Sequence, residues 1–404
     1  MLVRKAFRYR VYPTPAQEAL LGAWESALRF LWNLAHEQRR QGLARPRDER
    51  RYYSAFDQIN QLTELRAELT WLADVPRNVC AQLLVELDKA WQRCFQKLAR
   101  APRWKRKGKD FLGLTEPHPK QWRLDGSTLR FPKLGALRAV VHRPREGRPK
   151  TCTLRREGTQ WYASLLCEIE VADPAPRVAS VVAIDRGVTY ALADSDGKLT
   201  PNPKFYARAM KRLARAQRVV ARRKKGSKNR EEAKARVTRL HMKVARQRAH
   251  FLHVESFRLA KSHGVVVIEN LNVAGMLQAN RGLSRSIADA GWSNFAWMLG
   301  YKLAWSGGTL IEVPAAYSSQ TCAACGCVDA AARRGESFCC AGCGHVDHAD
   351  VNAAKVLKAR ANRSGRMPVE GQPPEGPRRS RKAKVGLRVP RRSPLQKLRP
   401  LGRG

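Results

Sequence analysis

Ser180-Val181-Val182-Ala183-Ile184-Asp185 and Gly264-Val265-Val266-Val267-Ile268-Glu269 share one form, a short apolar run closed by a carboxylate. An apolar run of this length between turn residues is the pattern of a strand buried on both faces. An acid closing such a run is costly unless it finds a cation, a network of donors or an opening to water. For one such residue, capping a nearby helix is an equally good reading. Two acids ending equivalent strands point to a shared site. A third candidate, Asp350, opens the helical pattern Ala349-Asp350-Val351-Asn352-Ala353-Ala354, where N-capping is the competing role. Three carboxylates meeting at one point would hold two divalent cations about 4 Å apart, which activate water and stabilise the leaving oxygen in phosphodiester cleavage. Mg2+ suits such an all-oxygen set with open positions.

Outward from the first run, Val188 to Ala193 reads as a further strand and Asp194-Ser195-Asp196-Gly197 as a hairpin turn, so an antiparallel meander is expected here. Residues 204 to 250 then carry 18 Lys and Arg against two Glu, with Met210, Leu213 and Val220, then Val237, Leu240 and Val244, at roughly helical spacing. This predicts a basic helical hairpin over 204–262 joined near Gly226, with Arg222, Arg223, Lys224, Lys225 and Lys228 as candidate nucleic-acid contacts. After the second run come a Trp-containing helix near 292 to 306, a strand from Thr309 to Val313 and a helix from Asp350 to Ala361.

At the amino terminus, Leu2 to Tyr12 mixes β-formers with basic residues, and Thr14-Pro15-Ala16-Gln17 is a capping box with proline at the first helical position. Helical spacing continues through Trp24, Leu28 and Leu31, through Ile59, Leu62 and Leu65, and from Val79 to Phe95, so residues 14–100 read as a helical bundle. From Phe111 to Val171 short alternating segments with turns at Asp125-Gly126 and Glu157-Gly158 suggest a small β-barrel or sandwich, completed by the amino-terminal strand.

Of ten cysteines, Cys80, Cys94, Cys152 and Cys167 are scattered and read as small buried hydrophobes, while six lie between 322 and 343. Cys322-Ala323-Ala324-Cys325 and Cys340-Ala341-Gly342-Cys343 stand 14 residues apart, the spacing of a structural four-cysteine zinc site in a reducing compartment. Cys327 and Cys339 are extra, leaving a disulfide or a shifted ligand set as the lesser alternatives, and His345 and His348 read as surface residues. With little core of its own, this segment is expected to fold on metal.

The whole chain of 404 residues carries 77 Lys and Arg against 34 Asp and Glu, a net charge of +43, with 43% apolar residues. That apolar fraction argues for packed domains, and the charge for a polyanionic partner, since duplex DNA offers a charge about every 1.7 Å. No run approaches the roughly 18 apolar residues of a membrane span. The expectation is a soluble cytoplasmic protein, nucleoid-associated in a prokaryotic cell, with no membrane partner. Residues 361 to 404 hold 13 Lys and Arg and two Glu among many Pro and Gly, and the segment 363–404 reads as a basic disordered tail.

Taken in order, Ala-Ile-Asp185-Arg-Gly-Val, Ile-Glu269-Asn-Leu, the two cysteine pairs and Ala-Asp350-Val-Asn-Ala-Ala resemble the transposon-encoded TnpB (OrfB) family, relatives of the type V CRISPR effectors. Phe7-Arg-Tyr-Arg-Val-Tyr-Pro-Thr-Pro-Ala-Gln17 and Phe131-Pro-Lys-Leu-Gly135 share the likeness, which spans residues 1 to about 360. The resemblance implies an α+β multidomain protein whose RNase H-like (RuvC) mixed α/β nuclease domain, 176–321 and 346–362, is interrupted by a zinc ribbon at 322–345. It further implies a wedge-type β-barrel from 1–13 and 101–175 and a helical recognition bundle at 14–100. Asp185, Glu269 and Asp350 would be the catalytic Mg2+ ligands, and Cys322, Cys325, Cys340 and Cys343 the Zn2+ ligands. Arg186 stands where the family often has Leu.

The activity so implied is RNA-guided, Mg2+-dependent cleavage of double-stranded DNA beside a short adjacent motif, with a guide RNA made from the transposon end. In such a system base pairing reads sequence and the protein reads shape and the short motif. A nuclease-silent RNA-guided DNA-binding regulator and a transposase acting on transposon ends are the alternatives. The oligomeric state stays open, a monomer per RNA being one reading.

Overall fold

The computed structural model describes residues 1–365 except 109, 111, 178–179 and 280–281, so the expected basic tail lies outside the described residues beyond its first three positions. Strand β1 (Leu2–Tyr12) alternates as expected, with Phe7, Tyr9 and Val11 buried. Helix α1 (Pro15–Ala44) starts with the capping box: the Gln17 amide N–H donates to Thr14 Oγ1 at 3.3 Å and the Thr14 N–H to Gln17 Oε1 at 3.0 Å. Gln17 Nε2 also donates to the carbonyls of Leu134 and Ala136, which ties the helix start to the neighbouring sheet. Helices α2 (Ala55–Glu68), α3 (Thr70–Ala73) and α4 (Arg77–Phe95) follow.

The chain then makes β2 (Leu114–Glu116), β3 (Arg123–Asp125), β4 (Thr128–Phe131), β5 (Gly135–Val140), β6 (Arg148–Glu157) and β7 (Gln160–Glu170). With β1 they form a seven-stranded antiparallel sheet of order β2-β6-β7-β1-β5-β4-β3, in which no ladder among the described residues joins β2 to β3. One continuous apolar core runs from Phe7 and Leu137 of the sheet to Trp24, Leu28 and Leu84 of the helices. Cys80, Cys152 and Cys167 are buried in it, as expected of small hydrophobes.

The second body holds β8 (Val181–Asp185), β9 (Tyr190–Asp194), β10 (Leu199–Pro201), α5 (Phe205–Arg222), α6 (Lys228–Ser262), β11 (Val265–Asn270), α7 (Val273–Ala279), α8 (Ser284–Ala290), α9 (Trp292–Trp305) and β12 (Thr309–Pro314). Its sheet has the order β10-β9-β8-β11-β12, the first three strands antiparallel and β11 parallel to both β8 and β12. Gly197, at φ +95°, permits the turn between β9 and β10. Helices α7 and α8 had no counterpart in the sequence reading, because their short segments lack a sustained apolar period.

Side-chain parity decides what faces what. Val182, Ile184, Val266 and Ile268 pack on Leu252 and Leu259 of α6 and on Phe295, Leu299 and Leu303 of α9. Ala183, Val265 and Val267 turn to the opposite face, with Ile311, Val313, Leu357 and Ala361. Both faces are covered, which explains the uninterrupted apolar runs.

A three-stranded antiparallel sheet, β13 (Arg333–Arg334), β14 (Ser337–Cys339) and β15 (Val346–His348), and α10 (Ala349–Arg363) follow. This small module has its own apolar cluster, Phe338 with Cys322, Ala332, Cys340 and Ala349, where the sequence suggested almost none. Buried Asn352 fastens it to α10, donating to the Thr321 carbonyl at 2.8 Å and accepting from the Ala323 N–H at 2.9 Å.

Candidate active site

The parallel register Ile184 to Ile268 places Asp185 and Glu269 one step on, at the carboxyl ends of adjacent strands. Period-two alternation then turns both acids to the face that packs on α10. Asp350, in the first turn of α10, meets them there, so the three sequence-predicted carboxylates converge. Glu269 and Asp350 are each 7% exposed. Helix capping, the competing role for Asp350, belongs instead to His348, whose Nδ1 accepts from the Asp350 N–H at 3.2 Å. His348 is thus half-buried against Tyr190 and not the surface residue expected.

Burial raises the Asp185 carboxyl well above the usual carboxylate range, and the charges of Glu269 and Asp350 raise it further. Glu269 is also raised by burial, with Arg186 opposing, and the carboxyls of Asp185 and Glu269 hydrogen-bond to each other. Ser318, 5% exposed, places its hydroxyl 3.3 Å from Glu269 Oε1. Gly187 is required for space, since a Cβ there would stand 2.7 Å from the Tyr190 carbonyl oxygen. Three oxygen-bearing acids pressed together against their own repulsion fit a hard divalent cation.

Two basic residues have roles at this site that the sequence reading did not assign them. Arg333, from β13 of the cysteine module, pairs with Asp350 Oδ1 at 2.7 Å. Its segment is remote in sequence from every acid, so no local pattern announced it. Arg186 follows Asp185 and therefore points to the other face, where it is 6% exposed and donates to the backbone carbonyls of Glu269 and Trp292. Burial lowers its pKa.

The four thiols of Cys322, Cys325, Cys340 and Cys343 lie within 4.8 Å of one another. Cys322 Sγ and Cys343 Sγ are 3.7 Å apart, and Cys325 Sγ and Cys340 Sγ 3.6 Å. A tetrahedron with Zn–S bonds of about 2.3 Å has edges of about 3.8 Å, so this is a candidate zinc site. Cys327 and Cys339 are exposed and lie outside that cluster. Arg222, Arg223, Lys224, Lys225 and Lys228 are exposed at the turn between α5 and α6, where Gly226 takes φ +83°.

Three family profiles match the chain: an OrfB profile of the IS605 type described as "Probable transposase" over residues 164–280, a Cas12f1-like TNB domain over 292–357 and a helix-turn-helix domain over 1–47. InsQ of Escherichia coli K12, named as an RNA-guided DNA endonuclease, is 32% identical over 395 residues, covering 91% of this chain and 96% of InsQ. The chain belongs to the OrfB (TnpB) family. A family relative from Streptomyces pristinaespiralis with the same type of name is 35% identical over 363 residues, covering 88% of this chain and 89% of its own. Among solved structures, the Cas12f1–sgRNA–target DNA complex superposes with a TM-score of 0.55 at 12% identity, covering 88% of this chain and 98% of that one. The OrfB chain is therefore a mixed α/β multidomain protein with the fold of a Cas12 effector. Its residues 1–47 comprise one strand and one long helix, not two helices around a turn. No helix among the described residues is long and apolar enough to cross a membrane.

Proposed function

We propose that this protein is an RNA-guided DNA endonuclease that hydrolyses phosphodiester bonds of double-stranded DNA beside a short adjacent motif. The observation that carries the reading is the convergence of Asp185, Glu269 and Asp350 from β8, β11 and α10 at one sheet edge. Supporting it, the relatives that match over nearly the whole chain are named as RNA-guided DNA endonucleases. The three acids would hold catalytic Mg2+, two ions in our reading, and bound Mg2+ would activate water and stabilise the leaving oxygen.

The chain's own residues prepare that site. Arg186 fixes the end of β11 through the Glu269 carbonyl, and Ser318 holds the Glu269 carboxylate. Arg333 offsets the charge of Asp350. In this reading residues 176–321 and 346–362 are an RNase H-like RuvC nuclease domain, and 322–345 a structural zinc ribbon that delivers Arg333. Residues 1–13 and 101–175 act as the wedge and 14–100 as the recognition bundle. The basic tip at Arg222 to Lys228 would grip a guide RNA transcribed from the transposon end, or target DNA, in the prokaryotic cytoplasm.

The test is to express the protein with its flanking DNA, sequence the RNA that copurifies, and add Mg2+ with a plasmid library carrying the matched target beside randomised bases. A discrete RNA and cleavage confined to a few adjacent motifs is the expected result. Motif-selective retention without cutting would replace it with the nuclease-silent regulator. Strand-joined products on transposon ends would replace it with the transposase.

A further inference from the structure

Helix α9 carries an aromatic row on its outer face. Trp297 is 68% exposed, its ring 5.0 Å from Tyr301, which in turn stands 4.8 Å from Trp305, itself 42% exposed. The spacing of four residues stacks the three along one side of the helix. Core packing does not account for an indole left two-thirds in water when Trp292 and Phe295 of the same helix are buried.

The row begins at a cavity of about 330 Å³ at the carboxyl edge of the sheet, lined among others by Arg186, Glu269, Asn270, Ser293, Trp297 and Glu312. Glu269 belongs both to this cavity and to the acid cluster, so the cavity opens at the same sheet edge as the acids, on the α9 side of the sheet. Its polar residues Asn270 and Ser293 suit a neutral, flat, hydrogen-bonding ligand. The volume lies at the small end of the roughly 300–1,000 Å³ range of ligand pockets. A base paired within a duplex has its faces covered by its neighbours, whereas an unpaired base is free to stack on an indole.

We propose that this cavity and the indole of Trp297 bind the base of one unpaired nucleotide of single-stranded DNA beside the phosphate held at the acids. Tyr301 and Trp305 continue the stacking surface along α9. The inference rests on the nuclease reading above, since it is the acids that bring a phosphate to this edge.

The test uses the full chain with its bound RNA and a single-stranded DNA oligonucleotide carrying one 2-aminopurine, with Ca2+ replacing Mg2+. Trp297→Ala, at an exposed position, should lower oligonucleotide affinity about tenfold and abolish the fluorescence quenching, while Trp297→Phe retains most of both. With Mg2+, Trp297→Ala should slow cleavage of guided target about tenfold without changing guided duplex binding. Wild-type quenching and affinity in Trp297→Ala would overturn the proposal. So would a wild-type dimer that Trp297→Ala dissociates with oligonucleotide binding intact, because the face would then serve a second copy. If wild type cuts nothing while Trp297-dependent quenching persists, the nuclease reading fails and the base subsite stands.

Discussion

Asp185→Asn separates a metal-binding cluster from a merely structural one by moving stability in opposite directions with and without cation. In the folded protein burial and the charges of Glu269 and Asp350 raise the Asp185 carboxyl. An acid raised by folding contributes stability that is fully present below its ordinary pKa and is lost as pH rises through the raised value. Cation-free wild type should therefore melt lower near pH 8 than near pH 5 through this group, at about 1.4 kcal/mol for each unit by which the raised value exceeds 5, up to pH 8. Asparagine cannot ionise, so Asp185→Asn should remove that loss and melt higher than wild type near pH 8, by about 1 °C for each kcal/mol recovered in a chain of this length. Adding Mg2+ should reverse the order. A cation at a hundred times its Kd stabilises wild type by about 2.7 kcal/mol, and the variant, lacking one donor, should gain far less. Thermal melts in EDTA and in Mg2+ across this pH range, paired with target cleavage, read all three effects. A variant that melts below wild type in EDTA near pH 8 and gains as much from Mg2+ would refute the reasoning.

The remaining predictions concern other parts of the molecule. Cys340→Ser should drop bound zinc from one per chain to near zero by metal analysis and loosen the Phe338 cluster, while Cys327→Ser, outside the four-thiol group, leaves zinc content unchanged. Gly187→Ala drives a methyl to 2.7 Å from the Tyr190 carbonyl oxygen beside the acids, so cleavage should fall at least tenfold with a smaller effect on folding, measured by rate and melting together. Replacing Lys224 and Lys225 at the exposed tip by Ala should weaken nucleic-acid affinity and lower the slope of log affinity against log salt by about 1.8 on duplex DNA. An unchanged slope would remove the tip from the binding surface. The Trp297 substitutions described above complete the set.

Much of the second body was readable locally. Apolar runs ending in acids are strands buried on both faces, and β8 and β11 are such strands; the capping box at Thr14 opens α1 where the sequence places it. The two CxxC pairs bring their thiols together because each pair is a short-range turn, and Gly226 joins two helices where a residue of positive φ was needed. From its local residues the role of Asp350 was an open alternative between cap and ligand, and it was the family resemblance that favoured the ligand. His348 takes the cap, and that follows from β15 leading into α10, not from any pattern around residue 348.

What the sequence alone determined is which residues are chemically able to act: the three acids, the four thiols and the basic surplus. Their periodicity also settled the element types, because burial on two faces, on one face or on none leaves different spacings in a chain. Only the tertiary structure decided that β11 lies parallel to β8 in the register that sets Glu269 beside Asp185. It also brought Arg333 across from the cysteine module to Asp350, turned Arg186 to the opposite face, and left Trp297 bare at the edge of the Glu269 cavity. Pairing between distant segments depends on the packing of both faces of a sheet at once, and that is a property of the assembled core with no counterpart in any local stretch of sequence.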